Sequence, residues 1–100
     1  MSVRLSNYVG NTPLIPIRIG KFTVWGKAEF MNPSGSVKDR MATFIITHAE
    51  HNGIISKGDI ICEATSGNSG IALAMLAAER GYKIKIIMPC NMSEERKQMF

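Results

Sequence analysis

The sequence predicts an α/β fold in which a β-hairpin precedes a strand–helix–strand unit. Three observations carry this. Two β-rich runs, residues 14–19 and 22–30, are separated only by Gly20-Lys21, which is the arrangement of a hairpin. Residues 60–64 and 83–88 are short apolar runs, as expected of buried parallel strands. Between them, residues 69–80 are apolar on nearly every face, the pattern of a mostly buried helix. Strand, helix and strand at this spacing make a right-handed βαβ unit.

The elements follow in order. Residues 1–8 carry no clear signal, and Gly10-Asn11-Thr12-Pro13 is a turn. The first β run is interrupted by Pro16, so it reads as an edge strand. Phe22, Val24 and Trp25 suit a pleated surface. Asn32, Pro33, Ser34 and Gly35 are turn formers that redirect the chain. From 37 to 52 the pattern is helical, with Met41, Phe44, Ile45, His48 and Ala49 on one stripe. Gly53 supplies a left-handed stop and Ile54 its apolar partner. Lys57-Gly58-Asp59 is a turn, Gly81 ends the second helix, and Pro89 stops the last strand. No internal repeat or low-complexity linker is present.

With 100 residues, a formal charge of +4 and 45% apolar residues, the chain suits one α/β domain or part of one. Its basic residues are scattered and mostly flanked by acids, without the aromatic–basic interleaving of base stacking, so no nucleic-acid partner is expected. Cys62 and Cys90 form no C-x-x-C pair. Cys62 lies in an expected buried strand, where a free thiol behaves as a small hydrophobe. Reduced thiols and a cytoplasmic setting are the simple reading. The first residues lack the apolar core of a signal peptide, and the longest apolar run, 71–78, is too short to span a membrane. His48 and His51 have no clustered ligands, so a metal site is not expected.

Two polar stretches carry the chemistry. In Asn32-Pro33-Ser34-Gly35-Ser36-Val37-Lys38-Asp39-Arg40, Ser36 is a candidate N-cap. Lys38 then sits in the first helical turn, where the dipole disfavours a cation. A neutral amine there is a nucleophile. The plainer alternative has Lys38 pointing into water with Asp39 as its counter-charge. The second stretch, Thr65-Ser66-Gly67-Asn68-Ser69-Gly70, lies between a strand and a helix. Ligands in open α/β sheets bind at the carboxyl ends of strands, and loop N–H groups with a helix dipole attract an anion. It is neither a Walker A motif nor G-x-G-x-x-G. The alternative is an ordinary β–α turn with Asn and Ser as caps.

Taken together with Gly10-Asn11-Thr12-Pro13-Leu14, Lys27-Ala28-Glu29, and Met88-Pro89 followed by Met92-Ser93-Glu94-Glu95-Arg96-Lys97, these stretches resemble the cysteine synthase (O-acetylserine sulfhydrylase)/cystathionine β-synthase family. The order and spacing agree from residue 9 to the end. The resemblance implies the N-terminal part of a tryptophan-synthase-β-like, fold type II pyridoxal-phosphate enzyme. Residues 1–36 would be a hairpin segment belonging to the larger domain, and 37–100 the first part of the α/β cofactor and substrate region. Family members are longer, and the helix expected from residue 93 has no cap after Phe100, so truncation after residue 100 is expected.

By the same resemblance, Lys38 is the Schiff-base lysine that holds pyridoxal 5'-phosphate and then serves as general base. Asn68 hydrogen-bonds the cofactor's phenolic oxygen. Thr65, Ser66 and Ser69 hold the carboxylate of the amino-acid substrate; Ser69 stands where Thr is also common. The reaction implied is β-replacement on an activated serine, such as O-acetylserine plus sulfide giving cysteine, a step of amino-acid biosynthesis by a transferase or lyase. A homodimer is expected of the longer protein. The alternatives are cystathionine β-synthase or a related serine/threonine lyase, and, in another class, a non-catalytic remnant or partner-binding fragment. The phosphate-binding loop and the residue facing the pyridine nitrogen are not visible in these residues. The chain alone is therefore expected to be inactive and poorly stable.

Overall fold

The structure is a computed structural model that describes residues 4–65 and 67–89, together with Glu94 and Gln98. The hairpin is present. Strand β1 (Leu14–Ile19) pairs antiparallel with β2 (Phe22–Lys27), from Leu14 opposite Lys27 to Ile19 opposite Phe22. Gly20-Lys21 makes the connection, with Gly20 at φ 58. The second strand stops at Lys27, earlier than the β-rich run to residue 30 suggests, because Glu29–Met31 forms a 3-10 turn. Every residue of β1 is exposed, and Trp25 and Phe22 of β2 are more than half exposed.

Helix α1 (Lys38–His51) ends as its sequence predicts. Gly53 lies at φ 68, its N–H donates to Glu50 O at 3.2 Å, and the Ile54 N–H donates to Ala49 O at 2.9 Å. These are the two bonds of a Schellman motif. The face it buries is not the expected one. Ala42 and Ile46 are buried with Asp39, whereas Phe44 is 71% and Ile45 50% exposed. The face that packs on α2 is that of Ala42 and Ile46, which meet Ala72, Leu73, Leu76 and Ala77, and the stripe of larger residues is left outside this contact.

Strand β3 (Ile60–Ala64), helix α2 (Asn68–Arg80) and strand β4 (Lys83–Ile87) form the βαβ unit. The strands are parallel, with Ile60 opposite Lys83 and Ala64 opposite Ile87. Gly81, at φ 81, ends α2. Helices α1 and α2 pack together, and the core joins Ala42 and Ile46 to Ala72, Leu73, Leu76 and Ala77, with Tyr82 beside them. Ile61 and Ile84 reach it from the sheet. Each strand buries one face only in part, in strict alternation. The face bearing Ile61 and Ile84 packs on the helix core and the other face is open, so these residues supply only part of the cover that a parallel sheet takes. Cys62 belongs to the open face and is exposed rather than buried.

Candidate functional site: the Lys38 turn and the β3–α2 junction

Ser36 is not the N-cap expected of it: Val37 holds that position, without a side-chain cap, although the Ser36 hydroxyl, one residue earlier, accepts the Lys38 N–H at 3.2 Å. Lys38 is the first residue of the helix and is exposed. Asp39 is not its counter-charge. The Asp39 side chain is fully buried, and its carboxylate accepts the Ser34 N–H at 2.7 Å and the Ser34 hydroxyl. The turn before Lys38 is anchored at its other end by Asn32, also buried. Asn32 Oδ1 accepts the Gly10 N–H at 2.8 Å, and Asn32 Nδ2 donates to Glu29 O and Glu29 Oε2, both at 2.9 Å.

Glu29 gathers the surrounding elements. Arg40, one residue beyond Asp39 on α1, donates to it in a fork, Nε to Oε2 at 2.8 Å and Nη2 to Oε1 at 3.0 Å. The Thr12 hydroxyl donates to Oε1 at 2.5 Å. Lys27 Nζ donates to Thr12 O. The Arg40 hydrogen bonds first, then that of Thr12, hold the Glu29 carboxyl down to about 2 from its ordinary 4.5, although desolvation opposes them. Gly10 is required where it stands: its φ is +87, and a Cβ would come within 3.2 Å of Arg40 Nη1. The network thus ties the 10–13 turn, the end of β2 and the start of α1 into one frame around the Lys38 turn. Thr12, Glu29 and Arg40 belong to the motifs named above, but nothing in their order along the chain points to this joint role. The signal in residue type is a forked donor and a carboxylate flanking a run of turn formers.

A second clamp holds the N-terminal segment against the helices. Glu79 accepts the Ser6 N–H at 2.8 Å and the Ser6 hydroxyl at 2.7 Å. Burial opposes ionisation of Glu79, but these bonds and Arg80 outweigh it and hold the carboxyl below its usual range. Arg80 also reaches Glu50 at 2.7 Å, and the Tyr82 hydroxyl donates to Glu50 at 2.6 Å.

At the β3–α2 junction the structure brings together Thr65, Asn68 and Ser69; Ser66 lies outside the described residues. The Thr65 N–H donates to Ile87 O at 2.9 Å, which extends the parallel ladder. Its hydroxyl accepts the Gly67 N–H at 3.1 Å. Gly67 is the N-cap of α2 and offers no side-chain cap. Asn68 and Ser69 are the first two residues of the helix rather than its cap. A cleft of about 510 Å³ opens at the carboxyl ends of the strands, lined among the described residues by Ala64, Thr65, Ile87, Met88 and Pro89. Lys38 stands on the other helix, and the packing of α1 on α2 fixes one position relative to the other.

These features fit pyridoxal phosphate in kind: an exposed amine on an anchored backbone, and a helix N-terminus without a side-chain cap above a cleft with apolar walls. Residues 5–100 match the sequence model of the family described as pyridoxal-phosphate dependent enzyme. The chain belongs to that family. It is 53% identical over 97 residues to cysteine synthase B of Salmonella typhimurium, an alignment spanning 93% of this chain and 32% of that one. It is 51% identical over 94 residues to cystathionine beta-synthase of Apis mellifera, covering 88% and 19%. Among solved structures, a hydrogen sulfide-producing enzyme from Fusobacterium nucleatum superposes with a TM-score of 0.91 at 46% identity, covering 99% of this chain and 34% of that chain. The chain spans about a third or less of the length of these proteins. The fold is fold type II of the pyridoxal-phosphate enzymes, and the cofactor of the family is pyridoxal 5'-phosphate. Among the described residues, no helix is long and apolar enough to cross a membrane.

Proposed function

We propose that this chain contributes Lys38 and the 65–69 loop to a pyridoxal-phosphate-dependent β-replacement on an activated serine, with O-acetylserine and sulfide as substrates and cysteine as product. The observation that carries the reading is Lys38 itself: an exposed amine whose backbone is held between buried Asn32 and buried Asp39. The similarity to cysteine synthases supports the same substrates.

Lys38 Nζ would hold the cofactor, with Asn68 hydrogen-bonding it. When bound, the cofactor supplies an electron sink for charge developing at the substrate Cα. Thr65, Ser66 and Ser69 would bind the substrate carboxylate through hydroxyls and helix N–H groups. That arrangement attracts an anion without placing a second cation in the site. Lys38 Nζ then takes the Cα proton as general base, which requires it to sit within hydrogen-bond reach of that carbon's proton. The frame around Glu29 keeps the turn that bears it in place.

The test is Lys38→Ala in the protein produced from its own gene. Borohydride-trapped attachment of pyridoxal phosphate at residue 38 and cysteine formation are both expected to vanish. Turnover at the wild-type rate would refute the assignment. A second reading, cystathionine formation, is favoured by the 51% identity to cystathionine beta-synthase. Offering homocysteine in place of sulfide distinguishes the two.

A further inference from the structure

The structure assigns Asp39 as a positioning residue that, through its bracket to Ser34, sets where the Lys38 amine stands. The inference rests on the reading of Lys38 as the cofactor-bearing lysine. Asp39 is fully buried, and among the described residues no cation pairs with it. A buried carboxylate without a cation is costly unless it is well hydrogen-bonded. Here both oxygens are engaged, Oδ2 by the Ser34 N–H at 2.7 Å and Oδ1 by the Ser34 hydroxyl. The first turn of α1 adds a favourable dipole.

Those bonds close a loop in the chain. Gly35 N donates to Asn32 O at 2.8 Å, Asn32 is fixed to Gly10, and Asp39 returns to Ser34. Residues 35–38 are thereby strung between two buried anchors, with Gly35 at φ 99 where the turn reverses. Lys38 is the exposed residue next to the second anchor. The bracket holds its Cα, and with it the point from which the amine reaches. Placement within about 1 Å commonly decides a factor of ~100 in rate, so the bracket acts on the reaction through Lys38 without touching a reactant.

The experiment uses the protein produced from its own gene and pyridoxal phosphate as the probe. Attachment at Lys38 is read as the rate at which borohydride-trapped cofactor appears on the peptide containing residue 38, alongside kcat and KM. Asp39→Ala is expected to slow attachment and lower kcat by ~10- to 100-fold with KM for the amino acid nearly unchanged. Asp39→Asn, which can keep one bond as acceptor and the other as donor, is expected to retain most of the rate. Ser34→Ala, which keeps the backbone N–H bond, is expected to fall between them. Wild-type attachment rates in both alanine variants would overturn the inference, even if their melting temperatures fell. If Asp39→Ala does not fold, Ser34→Ala decides alone, and a wild-type rate there overturns it. Lys38→Ala separates the two layers. Trapped cofactor persisting at wild-type level in that variant sinks the reading of Lys38 itself. Its loss there, with unchanged rates in the Asp39 and Ser34 variants, sinks only the positioning role.

Discussion

Glu29 is the residue on which the site frame converges, and its ionisation makes the frame sensitive to acid. Its carboxyl titrates at about 2 in the fold and near 4.5 when unpaired. The unfolded chain therefore binds more protons between those values, and stability rises with pH across them. The contribution of Glu29 is complete above about pH 5 and is lost as pH falls toward 2. Urea midpoints measured from pH 6 to 2 are expected to fall in that window, and Glu29→Gln is expected to flatten that part of the profile. An unchanged slope in the variant would detach the effect from Glu29. The loop offers a second test at this scale. Asn68→Ala is expected to alter the absorbance of the bound cofactor, and Ser66→Ala chiefly to raise KM for the amino acid. Changes in thermal stability alone, in both variants, would reduce the loop to a connection.

Among the elements, the α1–α2 contact carries the core. Leu76 is wholly buried between Ala42, Ile46 and the sheet residues. Leu76→Ala is expected to destabilise the fold by ~2–5 kcal/mol, read from urea unfolding. Phe44→Ala, on the outward stripe of the neighbouring helix, is expected to change stability by less than about 0.5 kcal/mol. A large loss at Phe44 would mean that the stripe is covered in solution. Gly10 tests the junction of the N-terminal turn with α1. Gly10→Ala combines a left-handed φ with crowding against Arg40, and a cost above that of an ordinary surface substitution is expected by the same measurement.

At the scale of the molecule, apolar surface is the dominant fact. The radius of gyration is 15.9 Å, against about 13 Å for a compact domain of this length. Leu14, Ile17, Ile19, Phe22, Val24 and Trp25 of the hairpin are exposed, as are Met41, Phe44 and Ile45 of α1. Exposed apolar area on this scale drives association. Residues 1–100 prepared alone are expected to sediment as dimers or larger species, with the fraction rising with concentration. Trp25→Ser together with Phe44→Ser is expected to shift them toward monomer. A monodisperse, cooperatively melting wild-type monomer that binds pyridoxal phosphate stoichiometrically would contradict this.

Local rules were enough for much of the architecture. The hairpin turn at Gly20, the Schellman stop at Gly53, the αL stop at Gly81 and the limits of β3 follow from φ preferences and short-range periodicity, which act within a few residues. The two stretches proposed to carry the chemistry are legible as local features for the same reason: turn formers and a hydroxyl-rich loop stand in order along the chain. Three things were not local. Which face of α1 is buried depends on where the partner helix lies: Ala42 and Ile46 meet α2, and the larger stripe is left exposed. Whether β3 and β4 are covered on one face or both depends on where the helices lie, so Cys62 is exposed despite an apolar strand. And Asp39, read from its neighbour in sequence as a counter-charge to Lys38, turns inward to Ser34. A carboxylate takes the donors that the folded turn presents, and that choice is made only once the backbone has closed on itself.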